Sequence, residues 1–268
     1  MTAAGTEVAT ADAPDPELQL VVPGRTLPVG SGVSWVGAGW RLFVRAPVMW
    51  IVAILVLFVI AIIMGLVPFI GSLAFQVLNP VFAAGLVIAC RSLERGGEFE
   101  LEHIFAGFKS RFGNLLVVGL LTVVGWVVIF FICMAFVGFG VLGAVLSGDP
   151  NHVAETILNS GLSLALATLV GLALAVPLMM LYWFAPALVV MHGMPPVDAM
   201  KASFGGCLRN FFPFLVYGIV MMVLAIVAMI PLGLGMLVWM PLAITSTYAA
   251  YREIYTDPPM AQPGSVPA

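Results

Sequence analysis

Residues 47–66 read PVMWIVAILVLFVIAIIMGL, an unbroken apolar run. A helix rising about 1.5 Å per residue needs about 20 such residues to cross the roughly 30 Å hydrocarbon core of a bilayer, and this run supplies them. Arg41 and Arg45 stand just before it, and no charged residue follows until Arg91. Working outward, uncharged windows of similar length recur near 71–90, 114–137, 161–187, 213–230 and 232–250. The window at 114–137 continues through VGFGVLGAVLSG, so it is expected to tilt or to end in a short irregular piece before Asp149. Across the 268 residues 62% are apolar and 9% charged, a surplus that no single soluble core can bury. The reading is all-α: a polytopic membrane helical bundle of six transmembrane helices.

Orientation follows from the basic residues, because Lys and Arg near span ends are retained on the cytoplasmic side. Arg25, Arg41 and Arg45 precede the first span; Arg91, Arg95, Lys109 and Arg111 lie between the second and third; Lys201 and Arg209 separate the fourth from the fifth; Arg252 follows the sixth. These are all ten basic residues, and the opposite connections, around 67–70, 147–160 and Pro231, hold none. Both termini are therefore expected in the cytoplasm. Residues 1–30, polar and rich in Ala and Pro, are expected to form a disordered tail, and 256–268 a second. The first stretch lacks the basic start, apolar core and cleavage site of a secretory signal, so the first span is expected to act as an uncleaved insertion signal.

The flanks of the opening stretch recur. AGWRLFVRAPVMW, AGFKSRFGNLLVV and GGCLRNFFPFLVY align by placing Ala38-Gly39 on Ala106-Gly107 and on Gly205-Gly206. Apolar residues at helical spacing precede or run through each copy, with charge on the other side. The pattern predicts three interfacial amphipathic helices, with Trp40, Arg41, Arg45, Phe108, Lys109, Lys201 and Arg209 as candidate lipid contacts. Pro80 precedes Arg91 and Pro241 precedes Arg252 by the same separation, and Pro186 takes the corresponding place in the fourth span. Three parallel repeats, 31–93, 101–191 and 197–255, are expected, each an interfacial helix plus a transmembrane hairpin with a proline-bent return. A proline inside a span frees a carbonyl one turn earlier, and Asn79 beside Pro80 is a candidate partner. Asn79, Pro80, Pro186 and Pro241 mark either a bend for packing or a lined cavity.

Chemistry is sparse. The six windows contain no Asp, Glu, Lys, Arg or His, which argues against proton relays. Cys90, Cys133 and Cys207 sit in or beside apolar stretches and read as small hydrophobes; His103, His152 and His192 are isolated, so no metal site or cofactor is expected. No basic patch interleaved with aromatics suggests nucleic acid. The one dense ionisable region, RSLERGGEFELEHIFAGFKSR, carries Glu94, Glu98, Glu100, Glu102 and His103, and is read as a solvated connector rather than an acid–base site. No hydrolase, zinc-protease or phosphate-loop signature occurs.

The segments GWRLFVRAPVMW, ALVVMHGMPPVDAMKASFGGCLRNFFPFLVYG, PLGLGMLVWMP and YAAYREIY resemble a family of proteobacterial six-span membrane proteins, over about 32–255. More distantly, the repeated unit resembles the membrane region of some glycerophosphoryl diester phosphodiesterases. Their catalytic barrel has no counterpart here, so the resemblance implies fold and an inner-membrane address but no hydrolase activity. The expectation is a non-enzymatic inner-membrane bundle that binds partners or organises the envelope, in contact with membrane lipids and with a membrane-protein partner or a second copy of itself. The alternative is a carrier or efflux component for lipid-like or apolar small molecules.

Overall fold

The computed structural model describes residues 18–148, 151, 155–156 and 161–257, so His152 and Asp149 lie outside the described residues. Apart from one two-residue strand pair, the regular elements are helical. In chain order they are α1 (Ser31–Phe43), α2 (Pro47–Gly65), α3 (Ile70–Glu94), a 3-10 turn (Leu101–Phe105), α4 (Ala106–Lys109), α5 (Phe112–Leu146), α6 (Gly161–Tyr182), α7 (Ala185–His192), α8 (Pro196–Arg209), α9 (Phe211–Met229) and α10 (Met236–Tyr255). Prolines open α2 and α8, where a missing N–H costs nothing. Five helices, α2, α3, α5, α6 with α7, and α9, are long and apolar enough to cross a membrane. The sixth expected span, α10, has 20 residues but carries Thr245, Ser246, Thr247, Arg252 and Glu253 and falls short in apolar character. The reason is its position: Thr245, Ser246, Tyr248, Tyr251 and Arg252 are buried among other helices, where hydroxyls find protein partners rather than lipid.

Burial is uneven along the bundle. In α3 the buried residues, Gly71 apart, run from Pro80 to Leu93, and in α10 from Pro241 to Tyr255; all of α7 but its last residue, His192, is buried. The opposite ends, at Leu66, Phe69, Ile70, Leu146, Ile230 and Leu232, are exposed. The helices thus close tightly at the end that carries the basic residues and splay at the other. Helix α1 lies on α10 and α9, the 3-10 turn and α4 lie on α3, and α8 lies on α6 and α7. Glycines permit the closest approaches: a Cβ on Gly39 would stand 2.5 Å from the Ser246 nitrogen, and one on Gly107 2.1 Å from the Val81 carbonyl oxygen.

Several expectations change. Residues 18–30, read as tail, run as a strap along the tight end. Gln19–Leu20 pairs antiparallel with Thr256–Asp257, Arg25 donates to the Thr256 carbonyl and lies 3.0 Å from Asp257, and Leu27 N–H donates to Asn210 Oδ1 at 2.9 Å. The interfacial helix expected over 101–112 is broken, because Arg111 adopts a left-handed φ of +53° before α5. Helix α5 does not end irregularly; its 35 residues continue to Leu146, about 52 Å at the α-helical rise. The fourth span is interrupted at Trp183-Phe184, between α6 and α7. There Ser203 of α8 replaces a rung of the helical ladder: its Oγ accepts from Phe184 N–H at 2.9 Å and donates to the Met180 carbonyl at 2.6 Å.

Candidate functional site

The three helices that return to the tight end, α3, α6 with α7, and α10, surround a cavity of about 330 Å³ on the bundle axis. Asn79 and Leu86 line it from α3, Tyr182, Trp183 and Pro186 from the fourth span, and Thr247, Tyr248 and Tyr251 from α10. Asn79 and Pro186, two of the four bend or cavity candidates, therefore meet here. Pro80 and Pro241 are buried in helix contacts outside the lining. Asn79 Oδ1 accepts from the Tyr182 hydroxyl across the cavity. Pro186 helps to open the break that Ser203 stabilises, which turns Tyr182 and Trp183 inward. Trp183 Nε1 is buried and has no hydrogen-bond partner among the described residues, a donor whose desolvation is uncompensated.

One end of the cavity is closed by an ionic cluster. Glu94 accepts from Arg252 Nη2 at 2.8 Å and Nε at 3.0 Å, from Arg91 Nη1 at 2.9 Å and from the Tyr248 hydroxyl at 2.6 Å. The Arg252 side chain is 4% exposed and that of Glu94 14%. Beside it the Tyr251 hydroxyl and His192 Nε2 stand 2.7 Å apart. Glu94, read from the sequence as part of a solvated connector, is instead the centre of this cluster. The rest of that acidic region does not converge. Glu100 and His103 cap the 3-10 turn reciprocally, with Glu100 N–H donating to His103 Nδ1 at 3.0 Å, and Glu102 faces Lys109 at 3.4 Å in the open.

A second space adjoins the cavity on one side. A groove of about 530 Å³ runs between α6, α9 and α10 and shares Met179, Trp183, Ile244 and Thr247 with the axial cavity. Helices α3 and α5 pack along their length, whereas α6 and α9 barely touch, and the groove is the consequence. Its other walls include Phe211, Phe214 and Cys207; burial pushes the Cys207 thiol up to about 12, so it stays protonated at neutral pH. Gly218 faces the groove with nothing within 4 Å of its Cβ position.

The candidate lipid contacts lie elsewhere. Trp40, Arg41, Arg45, Phe108, Lys109, Lys201 and Arg209 are exposed on the short helices or just beyond them, outside the axial cavity. Arg45 also donates to the Leu93 carbonyl, and Trp40 edges an apolar groove of about 700 Å³ beside α9 and α10. Sequence reasoning missed Tyr182, Trp183 and Ser203. The equal Pro80–Arg91 and Pro241–Arg252 separations were the one visible sign that Arg91 and Arg252 reach a common level.

Across 240 residues the chain is 30% identical to a probable inner membrane protein of Burkholderia thailandensis, an alignment covering 84% of this chain and 88% of the relative. No family model and no solved structure matches the chain.

Proposed function

We propose, on the premise that this chain belongs to the family of that probable inner membrane protein, that it is a six-span inner-membrane protein which draws one chain of a lipid-like molecule from the bilayer into its axial cavity. The observation that carries this reading is the lining shared by the side groove and the cavity, Met179, Trp183, Ile244 and Thr247. Helix α10 is taken as the sixth crossing. Its buried hydroxyls bond their own helix, Thr245 to the Pro241 carbonyl at 3.0 Å and Ser246 to the Leu242 carbonyl at 2.6 Å, so they add no unsatisfied group. The reading of three units is supported by cyclic packing, each short helix lying on the return helix of the neighbouring hairpin. A cytoplasmic tight end, with both termini on that side, is supported by the one-sided distribution of the basic residues.

The walls of the groove are themselves spans, so its surroundings are hydrocarbon. An acyl or isoprenoid chain gains little by leaving lipid for an equally apolar groove. Selection therefore rests on shape and on the few polar groups of the lining: Asn79, Thr247 and the three tyrosines Tyr182, Tyr248 and Tyr251. No chemical step belongs to this role.

The test uses the full chain reconstituted in phosphatidylethanolamine and phosphatidylglycerol vesicles containing a photoactivatable acyl phospholipid. Adducts are expected on peptides of α6 and α9. Gly218→Phe, which fills open space, is expected to abolish most of them while leaving thermal stability within about 0.5 kcal/mol. Adducts spread evenly over all helices, or unchanged in Gly218→Phe, sink the reading. A stoichiometric membrane-protein partner recovered with no lipid adduct returns the protein to the partner-binding role.

A further inference from the structure

The turns at the splayed end have an unusual composition. Helices α2 and α3 are joined by Leu66-Val67-Pro68-Phe69, and α9 and α10 by Ile230-Pro231-Leu232-Gly233-Leu234-Gly235, with no polar side chain in either. Phe69 is 91% exposed and Leu232 97%. Each follows a proline and each has positive φ, +60° and +54°. A turn facing water places Gly, Asn or Asp at such a position, because a β-carbon there costs about 1–2 kcal/mol. Leaving a Phe or Leu side chain fully in water forgoes roughly 2 kcal/mol more.

Most backbone N–H groups of the two turns are bonded locally, those of Phe69 and Gly235 excepted. In the first, Val67 N–H donates to the Met64 carbonyl at 3.1 Å, Ile70 N–H to Pro68 at 2.7 Å and Gly71 N–H to Val67 at 3.0 Å. In the second, Leu232 N–H donates to Ile230 at 2.9 Å, Gly233 N–H to Met229 at 3.1 Å and Leu234 N–H to Pro231 at 3.0 Å. Pro68 and Pro231 remove a donor each. Self-satisfied backbone is what hydrocarbon demands and water does not. Helices α2 and α9, at 19 residues each, are about 28 Å long, so a splayed tilt keeps their ends below the far surface.

We infer that the two short hairpins traverse the hydrocarbon but turn just beneath the far headgroups, with Phe69 and Leu232 embedded among the acyl chains of the far leaflet, so that these four spans do not emerge into water there. The middle hairpin differs. Helix α5 has 35 residues, and among the described residues beyond it Ser147, Asn151 and Glu155 are exposed and polar. The far leaflet is thus penetrated by one tall hairpin and only partly by two short ones, and lipid covers the two short tips. This inference does not depend on occupation of the cavity.

The test is cysteine accessibility in spheroplasts expressing the full chain with Cys133→Ala. Phe69→Cys, Leu232→Cys and Ser147→Cys are treated with a membrane-impermeant maleimide, then denatured in SDS and counter-labelled to measure total protein. Because maleimide needs a hydrated thiolate, Phe69→Cys and Leu232→Cys are expected to react about tenfold more slowly than Ser147→Cys, or not at all, before denaturation. A nitroxide on the same cysteines, in phosphatidylethanolamine and phosphatidylglycerol vesicles, is expected to be more accessible to oxygen than to an aqueous nickel chelate. Labelling of Phe69→Cys and Leu232→Cys as fast as Ser147→Cys, or preferential quenching by the chelate, overturns the inference.

Discussion

Replacing Glu94 with leucine is expected to destabilise the folded bundle by about 3–5 kcal/mol, the loss that follows when one partner of a buried ion pair is removed. The Arg252 side chain, 4% exposed, then loses the carboxylate it holds at 2.8 Å, and Arg91, 10% exposed, loses the acceptor it holds at 2.9 Å. The Tyr248 hydroxyl loses its 2.6 Å acceptor as well. Glu94→Gln keeps one acceptor oxygen and is expected to lose less. The double variant Glu94→Leu with Arg252→Met removes the stranded charge together with its partner and is expected to recover most of the stability. The measurement is thermal unfolding of the detergent-purified full chain, followed by intrinsic tryptophan fluorescence. A Glu94→Leu protein as stable as the parent, or a double variant no better than the single one, would show that this cluster is solvated rather than buried.

That cluster also marks the boundary of what was legible in the chain. The apolar runs and the one-sided placement of Lys and Arg are local signals, each confined to about 20 residues, and sequence reading recovers them because lipid and charge act on each span separately. Glu94 carries no such signal. It follows Arg91 in a stretch rich in Glu and Gly, and only the meeting of α3 with α10 distinguishes it from Glu98, Glu100 and Glu102. Ser203 was illegible for the same reason, since a serine that completes another helix's ladder looks like any small residue on an amphipathic helix. The strap at 18–30 reads as tail because its partners, Asn210 and the strand at Thr256–Asp257, lie at the far end of the chain. Helix α10 differs again: read from the sequence as a sixth span, it falls short of the other five in apolar character, because its hydroxyl-bearing residues are buried against protein.

The aligned glycines provide the sharpest contrast between neighbouring positions. A Cβ added to Gly206 would meet the Tyr255 hydroxyl at 1.9 Å, displacing the ring that donates to the Ala202 carbonyl at 2.8 Å. At Gly107 it would meet the Val81 backbone at 2.1 Å, and backbone cannot rotate away. One residue before Gly206, Gly205 has nothing within 4 Å. Gly107→Ala and Gly206→Ala are therefore expected to destabilise by about 3 kcal/mol, at the upper end for overpacking, with Gly107→Ala the worse because α4 must lift from α3. Gly205→Ala is expected to be neutral or to stabilise by up to about 1 kcal/mol, since alanine is the better helix former where its β-carbon meets open space. Thermal midpoints of the three variants, measured in one detergent against the parent, decide the matter. If Gly205→Ala and Gly206→Ala shift the midpoint equally, the short helix over 196–209 does not dock on α10 through this face. In that case the closure of the tight end, on which the axial cavity depends, must be held by other contacts.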